Sequence, residues 1–230
     1  MQPGKLLRQL AVKSTVWLII MGGALFGGAG DIVWPQGWAF LILFALGSLG
    51  FGMWLIKRNP VLLQARLDPL NAKGQPLWDK LFMVVFICLW LVWLAVMGAD
   101  AVRFHWSHMP VWLNLLGGLV TISGYVLTTR VLSVNSFASP TIRVQPERAQ
   151  TVVDSGAYAW VRHPMYAMMP IVLAGMPLLL GSWWGLLAVP VTLAALLPRA
   201  VMEENLLRRD LPGYADYMTR VRYRIIPYIW

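Results

Sequence analysis

Charge is what this sequence has least of. Only 13% of its 230 residues are Asp, Glu, Lys or Arg, about half the share of an ordinary soluble domain. Hydrophobic residues make up 58%. A soluble chain of that composition would expose apolar patches far larger than solubility permits. A cytosolic enzyme, a disordered tail and a small secreted scaffold are therefore excluded. Cysteine is nearly absent: Cys88 stands alone in an apolar run. That excludes a disulfide framework and a cysteine metal site, and Cys88 reads as a small buried apolar residue. Histidine occurs three times. His105 and His108 have ligand-like spacing but only Asp100 nearby, where a metal would want a third ligand. They read as plain interfacial residues, and no metal is expected. No glycine-rich loop follows a strand, so a soluble nucleotide-binding fold is excluded too.

What is present is long apolar runs. A membrane helix needs roughly 20 apolar residues to cross about 30 Å of hydrocarbon. Stretches free of charged residues cover 14–30, 32–56, 81–99, 104–129 and 163–198. As one helix the last would be about 54 Å long, too long for a single crossing. Gly181-Ser182-Trp183-Trp184-Gly185 lies near its middle, and glycine and tryptophan suit a turn at the membrane surface. The sequence thus predicts an all-α polytopic bundle of about six spans. The last two form a tight helical hairpin. Glycines in the early spans read as helix-packing positions.

Acids number 10 against 19 bases, giving a net charge of +9. With six spans, every lysine and arginine but Arg103 falls on one side. Positive loops stay cytoplasmic, so both termini are expected there. Trp34, Trp38, Trp106, Trp112, Trp183 and Trp184 fall at outer ends, and Trp78, Trp160 and Trp230 near inner ends, as aromatic belts do. The charge is an orientation signal, and nucleic acid drops out as a partner. Long polar segments lie only on the inner side, at 57–80, 130–165 and 199–230. The chain reads as one membrane domain, with a four-helix scaffold over 1–132 and a functional region over 133–230.

Two clusters carry candidate chemistry. The first runs from Asp154 to Tyr166 and contains Tyr158, Arg162, His163 and Pro164. Pro164 suits a first helical turn, which places Arg162, His163 and Tyr166 at a helix N-terminus that favours anions. The plainer reading makes them interface anchors and a belt tyrosine. The second cluster is Arg199, Glu203, Glu204 and Arg208. Arg199 and Glu203 share a helix face, while Glu204 points about 100° away. Two acids at a positive-inside border point to function, although a salt-bridged helix end is the plainer alternative. The hairpin returns both clusters to the same side.

The pattern Gly-Ala-Tyr, Arg-His-Pro-Met-Tyr, an apolar run, Glu203-Glu204, Leu-Pro-Gly-Tyr-Ala-Asp-Tyr and Pro227 resembles the isoprenylcysteine carboxyl methyltransferase family. Membrane phospholipid N-methyltransferases share this signature. The resemblance covers roughly 135–227, and Ala157 departs from it where many relatives have proline. It implies a membrane methyltransferase that uses S-adenosylmethionine and acts on a lipid or lipidated acceptor. The first acceptor implied is an isoprenylcysteine-like carboxylate; the alternative is a phosphatidylethanolamine-type amine. Arg162, His163 and Tyr166 would hold the cofactor carboxylate. Glu203 or Glu204 would hold its ammonium or fix an arginine. Tyr158, Tyr214 and Tyr217 would cover adenine or ribose. Arg199 or a tail arginine would orient an acidic acceptor, with Glu203 and Glu204 also candidate catalytic residues. The active site would face the cytoplasm, in a bacterial inner membrane or in the endoplasmic reticulum of a eukaryote. A sterol-reductase-like NADPH enzyme resembles the chain in its C-terminal region. A non-enzymatic channel, transporter or scaffold fits poorly, because the spans hold essentially no mid-span polar residues.

Overall fold

The computed structural model describes residues 3–69 and 74–230, and everything structural below refers to them. The described chain is helical, with no strand. Helix α1 is Pro3–Ala29, α2 Pro35–Arg58, α3 Pro60–Leu67, α4 Leu77–Gly98, α5 Val111–Val134, α6 Pro164–Leu180, α7 Trp183–Leu187, α8 Val189–Asp210 and α9 Tyr214–Arg220. Five segments are long and apolar enough to cross a membrane, α7 and α8 counting together as one, and α6 is a shorter apolar helix. At 17 residues, α6 is about 26 Å long.

The hairpin turns at the expected place. Gly181 ends α6 with φ 80°, in the left-handed region where a side chain is strained. Ser182 then caps α7, its Oγ accepting from Gly185 N at 2.8 Å. Span boundaries differ most from expectation at two points. Helix α1 begins at Pro3, so Lys5, Arg8 and Lys13 extend the span as helix rather than preceding it. The fourth span starts at Val111 rather than Phe104. Helix α4 unwinds through a π-turn over Ala99–Arg103, and Pro110 precedes α5 because a mid-helix proline loses a hydrogen bond.

Helix α5 packs most closely on α6, and α1 on α4. Small residues permit this approach. A Cβ at Gly117 would lie 2.2 Å from Leu179 N, and one at Gly28 2.0 Å from the Ala95 carbonyl. Gly23, Gly27 and Gly50 face open space, so they do not serve as close-packing positions. The central core joins Met21, Leu25, Phe40, Leu94, Met97, Met176 and Leu180. Ile19, Leu46, Val85, Leu115 and Val191 point outward, as lipid-facing residues do. Cys88 is exposed on that outer surface rather than buried, where hydrocarbon gives it the apolar surroundings it prefers.

The end of the bundle that holds the hairpin tip is tied together by Asp100, a fully buried acid. Its Oδ2 accepts from Ser182 Oγ at 2.5 Å and from Ser107 Oγ at 2.7 Å. This clamp fixes the hairpin tip. The opposite ends of α6 and α8, away from the tip, are thereby held on one side of the bundle.

Candidate active site

The site forms at the basic end, where α6 starts and α8 ends. Pro164 opens α6, with His163 as the residue before it. The chain after α9 folds back along this point: Arg162 N donates to Tyr223 O at 2.9 Å, and His163 N to Arg224 O at 2.8 Å. Residues 135–145 drape across from α5 toward α4.

Glu204 is the hub on one side. Its side chain is 2% exposed. One oxygen accepts from Arg162 Nε at 2.6 Å and lies 3.2 Å from His163 Nε2. The other accepts from Arg224 Nε at 2.8 Å. Arg162 also donates to the carbonyls of Val221 and Arg222. Glu204 therefore fixes two arginines and the returning tail. Charge-assisted bonds of this kind are short and strong, and a buried carboxylate needs such partners.

Arg199 and Glu203 lie one turn apart on a different face of α8, joined through Tyr166. Arg199 Nη1 donates to the Tyr166 hydroxyl at 2.7 Å, and that hydroxyl donates to Glu203 Oε2 at 3.0 Å. His163 Nδ1 lies 3.8 Å from the same Glu203 oxygen. The two glutamates thus flank one imidazole ring. Arg199 is further held by Asp79 on α4, at 2.9 Å, and by the Pro140 carbonyl. Asp79 is fully buried and also accepts from Gln75 Nε2 and Ile142 N.

These residues border a cavity of about 290 Å³. Its polar wall carries Arg199, Glu203, Tyr166, His163, Tyr158 and Arg66, and its apolar wall carries Phe82, Phe86, Met169 and Leu196. A smaller hollow of about 60 Å³ shares Tyr158, His163 and Glu203 with it and adds Arg162, Tyr214 and Tyr217. A groove of about 330 Å³ along α4 and α8 shares Phe86 and is lined by Trp90, Trp93, Trp184 and Val191. Burial pushes the Tyr158 phenol up to about 12. It raises Tyr214 and Tyr217 as well, helped by nearby negative groups. Tyr217 donates to the Tyr158 carbonyl at 2.8 Å.

The structure brings together all nine residues singled out from the sequence. Glu204 alone lines none of the hollows, its oxygens being spent on Arg162, His163 and Arg224. Sequence reasoning missed Asp79, Gln75 and Arg66. Asp79 carried little signal, since an acid in the first turn of a helix is ordinary. Arg66 carried none, because it sits among other basic residues of a polar connection.

Residues 112–212 match the phospholipid methyltransferase family. The match runs from α5 through the hairpin to the end of α8, so it includes Arg162, His163, Tyr166, Arg199 and both glutamates. It supports a membrane methyltransferase acting on lipid. Arg66, Asp79, Tyr214, Tyr217 and Arg224 lie outside the phospholipid methyltransferase match. No curated protein matches the chain.

Proposed function

We propose that this protein is an S-adenosylmethionine-dependent methyltransferase of the membrane and that its acceptor is the amine of a lipid head group. Glu203 carries this reading. It is a partly exposed carboxylate on the wall shared by both hollows, close to His163 and Tyr166. An amine must lose a proton before it can attack a methyl group, and a positioned carboxylate can take it. A carboxylate acceptor needs no base, and Glu203 would repel it. Arg199, one of the cations that could hold an acceptor carboxylate, is already neutralised by Asp79.

The residues present fit the cofactor. Tyr158, Tyr214 and Tyr217 offer aromatic surfaces around the smaller hollow. When bound, S-adenosylmethionine supplies an electrophilic methyl on a sulfonium. The protein's share is to align the amine in line with that methyl, remove its proton and exclude water. The apolar groove along α4 and α8 runs from Phe86 to Trp184, suited to an acyl chain lying parallel to the lipids. Residues 133–230 supply most of this site, and the four-helix scaffold adds Asp79 and Arg66. With the basic end cytoplasmic, in an inner membrane or in the endoplasmic reticulum, the head group would enter from the cytoplasmic leaflet.

The test is transfer of labelled methyl to phosphatidylethanolamine and to S-farnesylcysteine by detergent-purified protein. Base-stable label on the phospholipid supports the amine reading. Base-labile label on the prenylcysteine overturns it in favour of a carboxylate. Failure to bind S-adenosylhomocysteine removes the methyltransferase reading altogether.

A further inference from the structure

Three arginines stand on the wall of the main cavity, and two are neutralised. Arg199 pairs with Asp79 at 2.9 Å, and Arg143 with Glu147 at 2.6 Å. Arg66 has no carboxylate within ion-pair distance among the described residues. Its one hydrogen bond runs from Nη1 to the Ala138 carbonyl at 2.8 Å. Its guanidinium carbon sits 5.7 Å from the Phe51 ring centroid. A guanidinium has five N–H donors in a planar fork, so most of its donors remain available to the cavity.

This placement is rigid. Asn59 caps α3 by accepting from Leu62 N at 3.0 Å. Leu62 and Leu63 are buried against Leu6, Leu10 and Leu55. The helix is thereby locked to α1 and α2, and it places Arg66 on the cavity wall. The neighbouring ionisable group is Tyr158, which lines both hollows. Arg66 therefore stands near where they join. Desolvation lowers its pKa to about 10, as expected for a cation that gives up water without gaining an acid. Holding a cation half-buried and unpaired is costly, and a bidentate oxyanion would relieve that cost.

We propose that Arg66 is the oxyanion anchor of this cavity, binding a carboxylate or phosphate oxygen of the ligand. The proposal relies on the methyltransferase reading for the two sources of that group. One is the amino-acid carboxylate of the cofactor, and the other is the phosphate of the lipid head. A head group carrying both phosphate and amine would span from Arg66 to Glu203, an arrangement in which each charge of the zwitterion meets its opposite.

Equilibrium binding on detergent-purified protein tests this. The probes are S-adenosylhomocysteine against its decarboxylated analogue, and lysophosphatidylethanolamine against an uncharged monoacylglycerol of equal chain length. Arg66→Gln is expected to weaken one oxyanion-bearing probe at least tenfold. Its matched probe should stay within twofold, and Arg66→Lys should recover part of the loss. Loss confined to the nucleoside pair assigns the cofactor carboxylate; loss confined to the lipid pair assigns the phosphate. Equal affinities across the variants for all probes overturn the proposal. Should Arg66→Gln not fold, the wild-type ratio within each pair decides, because an anchor requires a tenfold preference for the oxyanion in one pair. Wild-type protein that ignores S-adenosylhomocysteine but binds the phospholipid through Arg66 removes only the methyltransferase reading. Protein that binds S-adenosylhomocysteine irrespective of Arg66, and the phospholipid likewise, removes only the anchor. Protein that binds no probe at all removes both.

Discussion

Arg199 on α8 reaches Asp79 on α4, and its guanidinium nitrogen stops 2.9 Å from a carboxylate with no solvent exposure. The pair ties the helix that carries Glu203 to the scaffold. Breaking such a pair leaves an uncompensated charge, which costs about 3–5 kcal/mol when buried. Asp79→Ala is therefore expected to lower the unfolding midpoint in detergent by many degrees and to abolish methyl transfer. Asp79→Asn keeps an acceptor oxygen for Arg199 and should fall between Asp79→Ala and wild type in both measurements.

Glu203 and Glu204 are adjacent in sequence and opposite in role, so their variants should separate. If Glu203 takes the amine proton, Glu203→Gln should cut kcat by about 10²–10⁴. Its fold and S-adenosylhomocysteine affinity should be nearly unchanged. Tyr166→Phe removes only the hydroxyl that orients Glu203 and should cost less, about tenfold. Equal loss of cofactor binding and turnover in Glu203→Gln would sink the base assignment.

Glu204→Gln should act through structure instead. Arg162 and Arg224 lose their shared counter-charge, and each is already committed to this buried spot. The returning tail, held by Arg162 and His163 backbone bonds, then loses its fastening. Limited proteolysis should cut the chain after α9 faster than in wild type, and cofactor affinity should fall with it.

Much of this was legible beforehand, for physical reasons. Hydrocarbon demands long uncharged helices, so the spans stood out, and so did the glycine-serine break that turns the hairpin. Arg162, His163 and Glu204 stood out because ionisable groups at a membrane border are costly. The partner of Arg199 was harder to read. Asp79 pairs across 120 positions, and nothing local in a sequence links such residues. The π-turn at Ala99–Arg103 was also hidden, because residues 104–109 hold no Asp, Glu, Lys or Arg and so pass for part of a span. Their departure from helix depends on the buried tertiary bonds of Asp100.

That Asp100 clamp predicts a stability effect far from the chemistry. Asp100→Ala strips the acceptor from Ser107 and Ser182 and exposes two buried hydroxyls to unsatisfied burial. The expected cost is on the order of 2–4 kcal/mol, read as a lower unfolding midpoint in detergent. Methyl transfer below the transition should change little, because the clamp lies at the opposite end of α6 from Glu203. Asp100→Asn retains one acceptor oxygen and should lose less stability than Asp100→Ala.

The buried tyrosines set the alkaline limit of the fold. Burial raises Tyr158 to about 12 and shifts Tyr214 and Tyr217 in the same direction, whereas unfolded phenols titrate near 10. Above pH 10 the unfolded chain releases these protons first. The folded state then binds more protons than the unfolded one, and stability falls as pH rises. Unfolding midpoints should be flat in this respect below pH 9 and decline from pH 10 toward 12. Tyr214→Phe and Tyr158→Phe should each make that decline shallower. Because the phenols stay protonated in the fold, the methyl-transfer profile should show no tyrosine ionisation near pH 10, and a limb there that vanishes in Tyr158→Phe would refute this.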